Sequence, residues 1–257
     1  MFNTQFDSQM RASWGWRGVL GIISPAVTLS YGSEAHYRFS TLGLGIMETT
    51  LGLVNVTDEN MSRVMPGLEN AAKTLADQGA QFVCLNGPPA TLVDGNDHNA
   101  QLKKRLFEIT NLPSTTALYA AVDALNSLKV KNLIIVEPGS SDGLDIWVQR
   151  EKKFFEDNGF KVVNTRSARS KTTTLGKAKL PMSLPYSLAK EALLETPEAD
   201  GVYFACGVWG GAPVVQCLEA EFGKPVVIDD VTSIWAGMKA LNIRLPVKGL
   251  GRLFETM

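Results

Sequence analysis

The sequence predicts an α/β protein made of two similar halves, each built on a parallel sheet. Three observations carry this. Short apolar runs alternate with amphipathic stretches along most of the chain, the signature of β-α units. The order of those elements repeats once. A length of 257 residues is enough to bury the cores of two lobes of ordinary size.

In chain order, residues 1–16 (MFNTQFDSQMRASWGW) lack the continuous apolar core of a signal peptide and read as a polar arm, pinned at its end by Trp14 and Trp16. Strands are predicted over Gly18–Ser24, Ser40–Gly45, Gln81–Asn86, Asn132–Glu137, Lys161–Asn164, Gly201–Ala205 and Pro225–Ile228. Helical spacing places Val64, Leu68, Ala71, Ala72 and Leu75 on one face. The same spacing groups Leu118, Ala121, Val122, Leu125 and Leu128, and then Val231, Ile234, Trp235 and Met238. The stretch Ser167–Ser183 is rich in Ser, Thr and Lys and has no periodicity; it reads as a mobile loop, either a solvated connection or a lid.

The repeat aligns without a gap. Ala80-Gln-Phe-Val-Cys-Leu-Asn-Gly87 lies under Ala199-Asp-Gly-Val-Tyr-Phe-Ala-Cys206. Val19–Ser24 corresponds to Leu133–Glu137, and Pro113-Ser-Thr-Thr to Pro225-Val-Val-Ile, each of the latter pair followed by a helix. The division that follows is a first lobe of residues 17–118 plus 225–257 and a second lobe of residues 119–224. Strand ends of the two lobes then face each other across a cleft, where ligands of open α/β sheets bind.

Composition narrows the function. A net charge of -1 provides no basic field for nucleic acid or an anionic membrane, and no apolar run approaches the ~20 residues of a membrane span. Cys84, Cys206 and Cys217 have no metal-ligand spacing, and His36 and His98 lack a recognisable partner, so no metal site is expected. Sparse, odd-numbered thiols fit a reducing cytoplasm. GxGxxG and GxxxxGK[ST] are absent, which removes dinucleotide and P-loop readings and leaves a protein without a cofactor.

Cys206 ends the third strand of the second half in Ala-Cys-Gly-Val-Trp-Gly-Gly, with the next helix beginning near Pro213. The glycines let backbone N–H groups approach a ligand, and a thiol there is placed to handle a proton beside a carboxylate. Cys84 falls three positions before Gly87, out of register with Cys206, and reads as a packed core thiol; Cys217 reads as core filling on a helix face. Other turns follow strand ends at Ser24-Pro-Ala-Val-Thr28, Gly87-Pro-Pro-Ala-Thr91, Pro138-Gly-Ser-Ser141 and Asp229-Asp-Val-Thr-Ser233. They carry no Arg or Lys, so an anion would be held by neutral donors, as in an oxyanion hole.

From about Arg17 to Phe254 the chain resembles the aspartate/glutamate racemase superfamily, and within it the arylmalonate decarboxylase and maleate isomerase branch. The resemblance rests on Leu42-Gly-Leu-Gly45, Gly79-Ala-Gln-Phe-Val-Cys-Leu-Asn-Gly87, Ala199-Asp-Gly-Val-Tyr-Phe-Ala-Cys-Gly207, Phe222-Gly-Lys-Pro-Val-Val227 and Gly251-Arg-Leu-Phe254. It implies two pseudo-symmetric flavodoxin-like lobes with parallel sheets and an active site in the cleft between them. Racemases and isomerases of this kind carry a cysteine at the end of each equivalent strand, whereas the decarboxylases keep only the second. Here Cys206 matches the retained cysteine and Gly87 stands at the other position.

The resemblance therefore implies a cofactor-independent decarboxylase of an aryl- or alkenylmalonate. Loss of carbon dioxide would leave an enediolate, which Cys206 protonates on one face. The dicarboxylate would be surrounded by Pro25, Ala26, Gly87, Pro88, Pro89, Gly139, Ser140, Ser141 and Gly207. The chain departs from the decarboxylases at Pro88 and Pro89, which replace hydroxyl-bearing residues and offer no backbone N–H. A maleate-type cis-trans isomerase or amino-acid-type racemase using Cys206 is the alternative, and a non-catalytic small-acid binder the third. The partner expected is a small dicarboxylate, with no nucleic acid or membrane, for a monomer or small homo-oligomer.

Overall fold

The structure is a computed structural model that describes residues 15–26, 38–140, 146–209 and 211–257. The first half runs β1 (Gly18–Ala26), β2 (Leu44–Leu53), α1 (Asp58–Val64), α2 (Leu68–Asp77), β3 (Phe82–Leu85), α3 (Pro88–Leu92), α4 (Asn96–Thr110), β4 (Ser114–Thr116) and α5 (Ala117–Ser127). The second runs β5 (Asn132–Glu137), α6 (Ile146–Asp157), β6 (Lys161–Ser167), α7 (Thr174–Lys177), α8 (Ser183–Glu195), β7 (Gly201–Phe204), α9 (Gly211–Phe222), β8 (Val226–Ile228) and α10 (Asp229–Ala240), and α11 (Arg252–Glu255) follows.

The strands form two parallel sheets with the orders β2-β1-β3-β4 and β6-β5-β7-β8. The internal repeat is thus the repeat of the sheets: β3 and β7 take equivalent places, as do β1 and β5, and β4 and β8. Central strands are continuous apolar runs because helices cover both faces; Phe82–Leu85 and Gly201–Phe204 are buried throughout.

The edges differ from the sequence reading. Ser40–Leu42 is a 3-10 turn, not a strand, and β2 begins after the left-handed Gly43. The strand extends to Leu53 through Glu48, Thr49 and Thr50, polar residues that an edge strand tolerates because part of its surface stays wet. The polar Ser114–Thr116 is a strand missed by apolarity, and β6 continues to Ser167. Pro25 falls at the register shift between Ser24 and Ala26 in the β1–β2 pairing, where the missing N–H does least harm.

The lobe boundary at 224/225 also needs correction. Val226, Val227 and Ile228 pair with Val202, Tyr203 and Phe204, so β8 belongs to the second sheet. The chain changes lobes one element later. Ile234, Trp235 and Met238 of α10 are buried in the core that holds Leu20, Ile22 and Phe82 of the first sheet. At Gly237 a side chain would meet Leu20 at 2.7 Å, so α10 lies close against that sheet. Reciprocally, Tyr119 on α5 packs edge-on against Phe154 of α6, with ring centroids 5.5 Å apart. Each helix that follows a fourth strand therefore reaches toward the other half. Trp14 lies outside the described residues, while Trp16 lies against Gly43 with the Arg17 guanidinium 4.1 Å over its ring. Among the described residues no helix is long and apolar enough to cross a membrane.

Candidate active site

The carboxyl ends of both sheets open onto one cavity. On the first-lobe side, β1 ends in Ser24, Pro25 and Ala26, and the Ser24 hydroxyl donates to Glu48 Oε1 at 2.7 Å. Two residues beyond β3 comes Gly87, with φ at 83°, a left-handed conformation that a side chain strains. Pro88 and Pro89 then start α3, where the missing N–H groups cost nothing to the helix. Before the glycine, Asn86 is buried: its Oδ1 accepts from Ser233 Oγ and from Cys84 Sγ, leaving Nδ2 as a donor without a partner among the described residues.

The second-lobe side is more polar. Glu137 and Gly139 follow β5, and the Gly139 N–H donates to Glu137 Oε2 at 2.9 Å. Two residues beyond β7 comes Cys206, half-buried at the cavity wall. Gly207 must be glycine, because the Asp230 side chain fills the space where a Cβ would stand. The Gly207 N–H itself donates to the Asp229 carboxylate. Trp147 and Glu151 face the cavity from α6 one helical turn apart, and Thr174 and Lys177 do so from α7. Two contacts tie these helices to the first lobe: Thr174 N–H donates to Val54 O at 3.4 Å, and Arg150 on α6 grips Asp58 through both guanidinium nitrogens at 2.7 and 3.0 Å.

Charge and burial set the protonation of this cavity. Burial, helped by the Asp229 charge, pushes the Cys206 thiol well above its ordinary range; Lys177 and the Val208 amide pull the other way. The thiol is therefore neutral and carries its proton at neutral pH, the form an acid needs. Burial lifts Asp229 to about 7 against the amides of Asp230 and Gly207 that favour its charge. Burial likewise holds Glu151 well above the carboxylate range, aided by Glu137 and Asp229 and opposed by Lys177. Cys84, in the first-lobe core, is pushed up to about 12 by burial.

Of the residues selected from sequence, Pro25, Ala26, Gly87, Pro88, Pro89, Gly139 and Cys206 line this one cavity. Ser140 is buried outside its lining, Gly207 lies behind it, and Ser141 and Thr28 lie outside the described residues. The strand-end turns carry no Arg or Lys, but the cavity wall also has a cation, Lys177, which is 4 % exposed and comes from the stretch read as a loop. That stretch is no simple surface connection, since α7 forms part of the wall. Cys217 is exposed rather than core-filling, because α9 buries Val214, Val215 and Leu218 and turns position 217 outward. His98 finds Asp94 at 3.7 Å, and His36 lies outside the described residues.

Sequence reasoning missed Asn86, Trp147, Glu151, Thr174 and Lys177. A signal existed for Glu151: it interrupts the stripe Trp147, Val148, Phe154 and Phe155 at helical spacing, and a carboxylate in an apolar stripe needs a reason. None existed for α7, whose four residues carry no period. Among the described residues no group of three or more His, Cys, Asp or Glu side chains could hold a metal ion.

Comparison with known proteins agrees with this geometry. The family model described as arylmalonate decarboxylase matches residues 20–254. Arylmalonate decarboxylase of Bordetella bronchiseptica is 26 % identical over 213 residues, covering 82 % of this chain and 87 % of that protein. Maleate isomerase of Pseudomonas putida is 28 % identical over 180 residues, 68 % of each chain. The crystal structure of a liganded glycine-to-cysteine, cysteine-to-serine variant of arylmalonate decarboxylase superposes with a TM-score of 0.84 at 25 % identity, covering 93 % of this chain and all of the other.

Proposed function

The chain belongs to the arylmalonate decarboxylase family, and from that premise we propose that it is a cofactor-independent decarboxylase of a substituted malonate, with Cys206 as the proton donor. The observation that carries the reading is the asymmetry of two equivalent positions. Cys206 and Gly87 each stand two residues beyond the matching strands β7 and β3, and both line the cavity. Racemisation needs a base on one face of a planar carbanion and an acid on the other. Decarboxylation followed by a single protonation needs one acid.

In the proposed reaction the bond from the α-carbon to one carboxylate breaks. Its electron pair delocalises into the remaining carboxylate as an enediolate, and carbon dioxide leaves into a cavity whose apolar lining includes Leu53, Val56 and Val208. The Cys206 S–H then protonates the α-carbon from its own side. The resulting thiolate is disfavoured where it is formed, beside Asp229, and regains its proton from solvent before the next turnover.

The relationship to maleate isomerase supports a second reading, in which Cys206 acts as a nucleophile in cis-trans isomerisation. The protonated state of the thiol supports the first, since addition requires the thiolate. Incubating the protein with substituted malonates, maleate and amino acids in deuterated water separates the two. Carbon dioxide release with one deuteron retained at the α-carbon is expected, at a rate that exhaustive dialysis and chelation leave unchanged. Fumarate formation from maleate without carbon dioxide would replace the proposal with the second reading.

A further inference from the structure

Some of the backbone donors that strand-end turns would offer to an anion are engaged or missing. Gly139 N–H serves Glu137, Gly207 N–H serves Asp229, and Pro88 and Pro89 have none. Side-chain donors that have no partner among the described residues also line this cavity: Asn86 Nδ2 on the first-lobe side, and two more on the second-lobe side. Trp147 Nε1 and Thr174 Oγ1 are buried and unpaired, on side chains 3 % and 8 % exposed. Indole N–H is donor only, and a threonine hydroxyl donates readily to an anion. Lys177, one turn from Thr174, adds the cation, and its charge is felt at both Cys206 and Glu151.

We propose that Trp147, Thr174 and Lys177 form the carboxylate-binding subsite of this cavity, holding the substrate carboxylate that remains after carbon dioxide has left. Glu151 lines the same cavity, held well above the carboxylate range by burial, and its Oε2 has no partner among the described residues. The second lobe thereby supplies both the proton and the charge that stabilises the enediolate, in place of hydroxyls in the first-lobe turn. The cationic anchor also sets the ligand class: a dicarboxylate is favoured over its neutral diamide. This inference rests on the reading of the cavity as a small-acid site, and its test separates the two.

Calorimetric titration of malonate and of malonamide into a Cys206→Ala background measures the subsite without turnover. Malonate is expected to bind, and Lys177→Met to weaken it at least ~10-fold, the minimum for a charge-assisted hydrogen bond. Malonamide binding should change less than malonate binding. Failure of malonate to bind the parent, or equal binding by a Lys177→Met variant with an unchanged melting curve, would overturn the subsite. If Lys177→Met does not fold, Thr174→Val and Trp147→Phe decide, because each removes one donor, the first at nearly constant volume and the second with the loss of one ring; unchanged affinity in both also overturns it. Carbon dioxide release by wild type is read separately. Malonate binding that depends on Lys177 without decarboxylation of any malonate leaves the subsite standing and removes the proposed reaction.

Discussion

After β3 the chain turns through Asn86, Gly87 and Pro88; after β7 it turns through Ala205, Cys206 and Gly207. The strands occupy the same place in the same sheet order, yet the turns have opposite characters. In the first lobe the Pro25 ring fills the space where a side chain on Gly87 would go, 2.7 Å from an ideal Cβ. In the second, a thiol stands beside two carboxyls and within the field of a lysine. Equivalent scaffolds therefore do not give equivalent chemistry: what sets each turn apart is the neighbour packed on it.

The strongest way to break this comparison is to remove the thiol. Cys206→Ala should keep the fold and lower turnover by at least ~10²-fold, the low end for general acid catalysis. Full activity in the folded variant would falsify the assignment. Cys84→Ala should affect stability by about 1 kcal/mol and turnover far less, since its sulfur is confined to the core.

The reverse experiment adds a thiol to the first lobe. At Gly87→Cys the left-handed backbone costs about 1–2 kcal/mol and the Pro25 ring another ~1–3 kcal/mol through crowding. Gly87→Cys alone should therefore melt lower than wild type. Combined with Pro25→Ala it should recover part of that loss and interconvert enantiomers of a product acid, with deuterium uptake at the α-carbon. A folded double variant that binds product and shows neither exchange nor racemisation would indicate that the two turns do not face opposite sides of the substrate.

The carboxyls sharpen the comparison through pH. Asp229 titrates near 7 in the folded protein and near 4 when unfolded, so its stabilising contribution is complete below pH ~4 and is lost as pH rises through 7. The effect is about 1.4 kcal/mol per unit of displacement at most. Melting curves of wild type should fall across this window, while Asp229→Asn should be flatter and melt higher at pH 8. A wild-type profile that rises from pH 4 to 7 in step with the variant would contradict the burial of that charge.

The smallest effect concerns reactivity toward iodoacetamide. Cys217 is exposed, while Cys206 is held protonated and Cys84 is enclosed. Peptide mapping at pH 7.5 should find Cys217 modified at least ~10-fold faster than Cys206, since it is exposed and the Cys206 thiol is held protonated. Cys206 modified first would mean that Lys177 outweighs Asp229 at the thiol.

Legibility followed burial. Val19–Ser24, Gln81–Asn86, Asn132–Glu137 and Gly201–Ala205 were readable because strands covered on both faces must be apolar. The edge strand β2 was not, since polar residues cost little at its wet edge, and neither was the three-residue β4, whose buried Thr116 hydroxyl is satisfied by Asn99. Cys206 and the turns around it were readable from the repeat. Lys177 was not, because a four-residue helix is set by what it packs on, here the end of β2 and the turn after β7, and not by its own pattern.

The exchange of α5 and α10 between halves carries a consequence for the chain as a folding unit. A fragment that stopped after α5 would keep all strands of the first sheet yet leave Leu20 and Phe82 without the helix that covers them. Two such fragments could cover each other only by trading helices, as in a domain-swapped dimer. The intact protein has that arrangement joined into one polypeptide. Its halves are thus expected to melt in a single cooperative transition, and neither can be excised as an independent module.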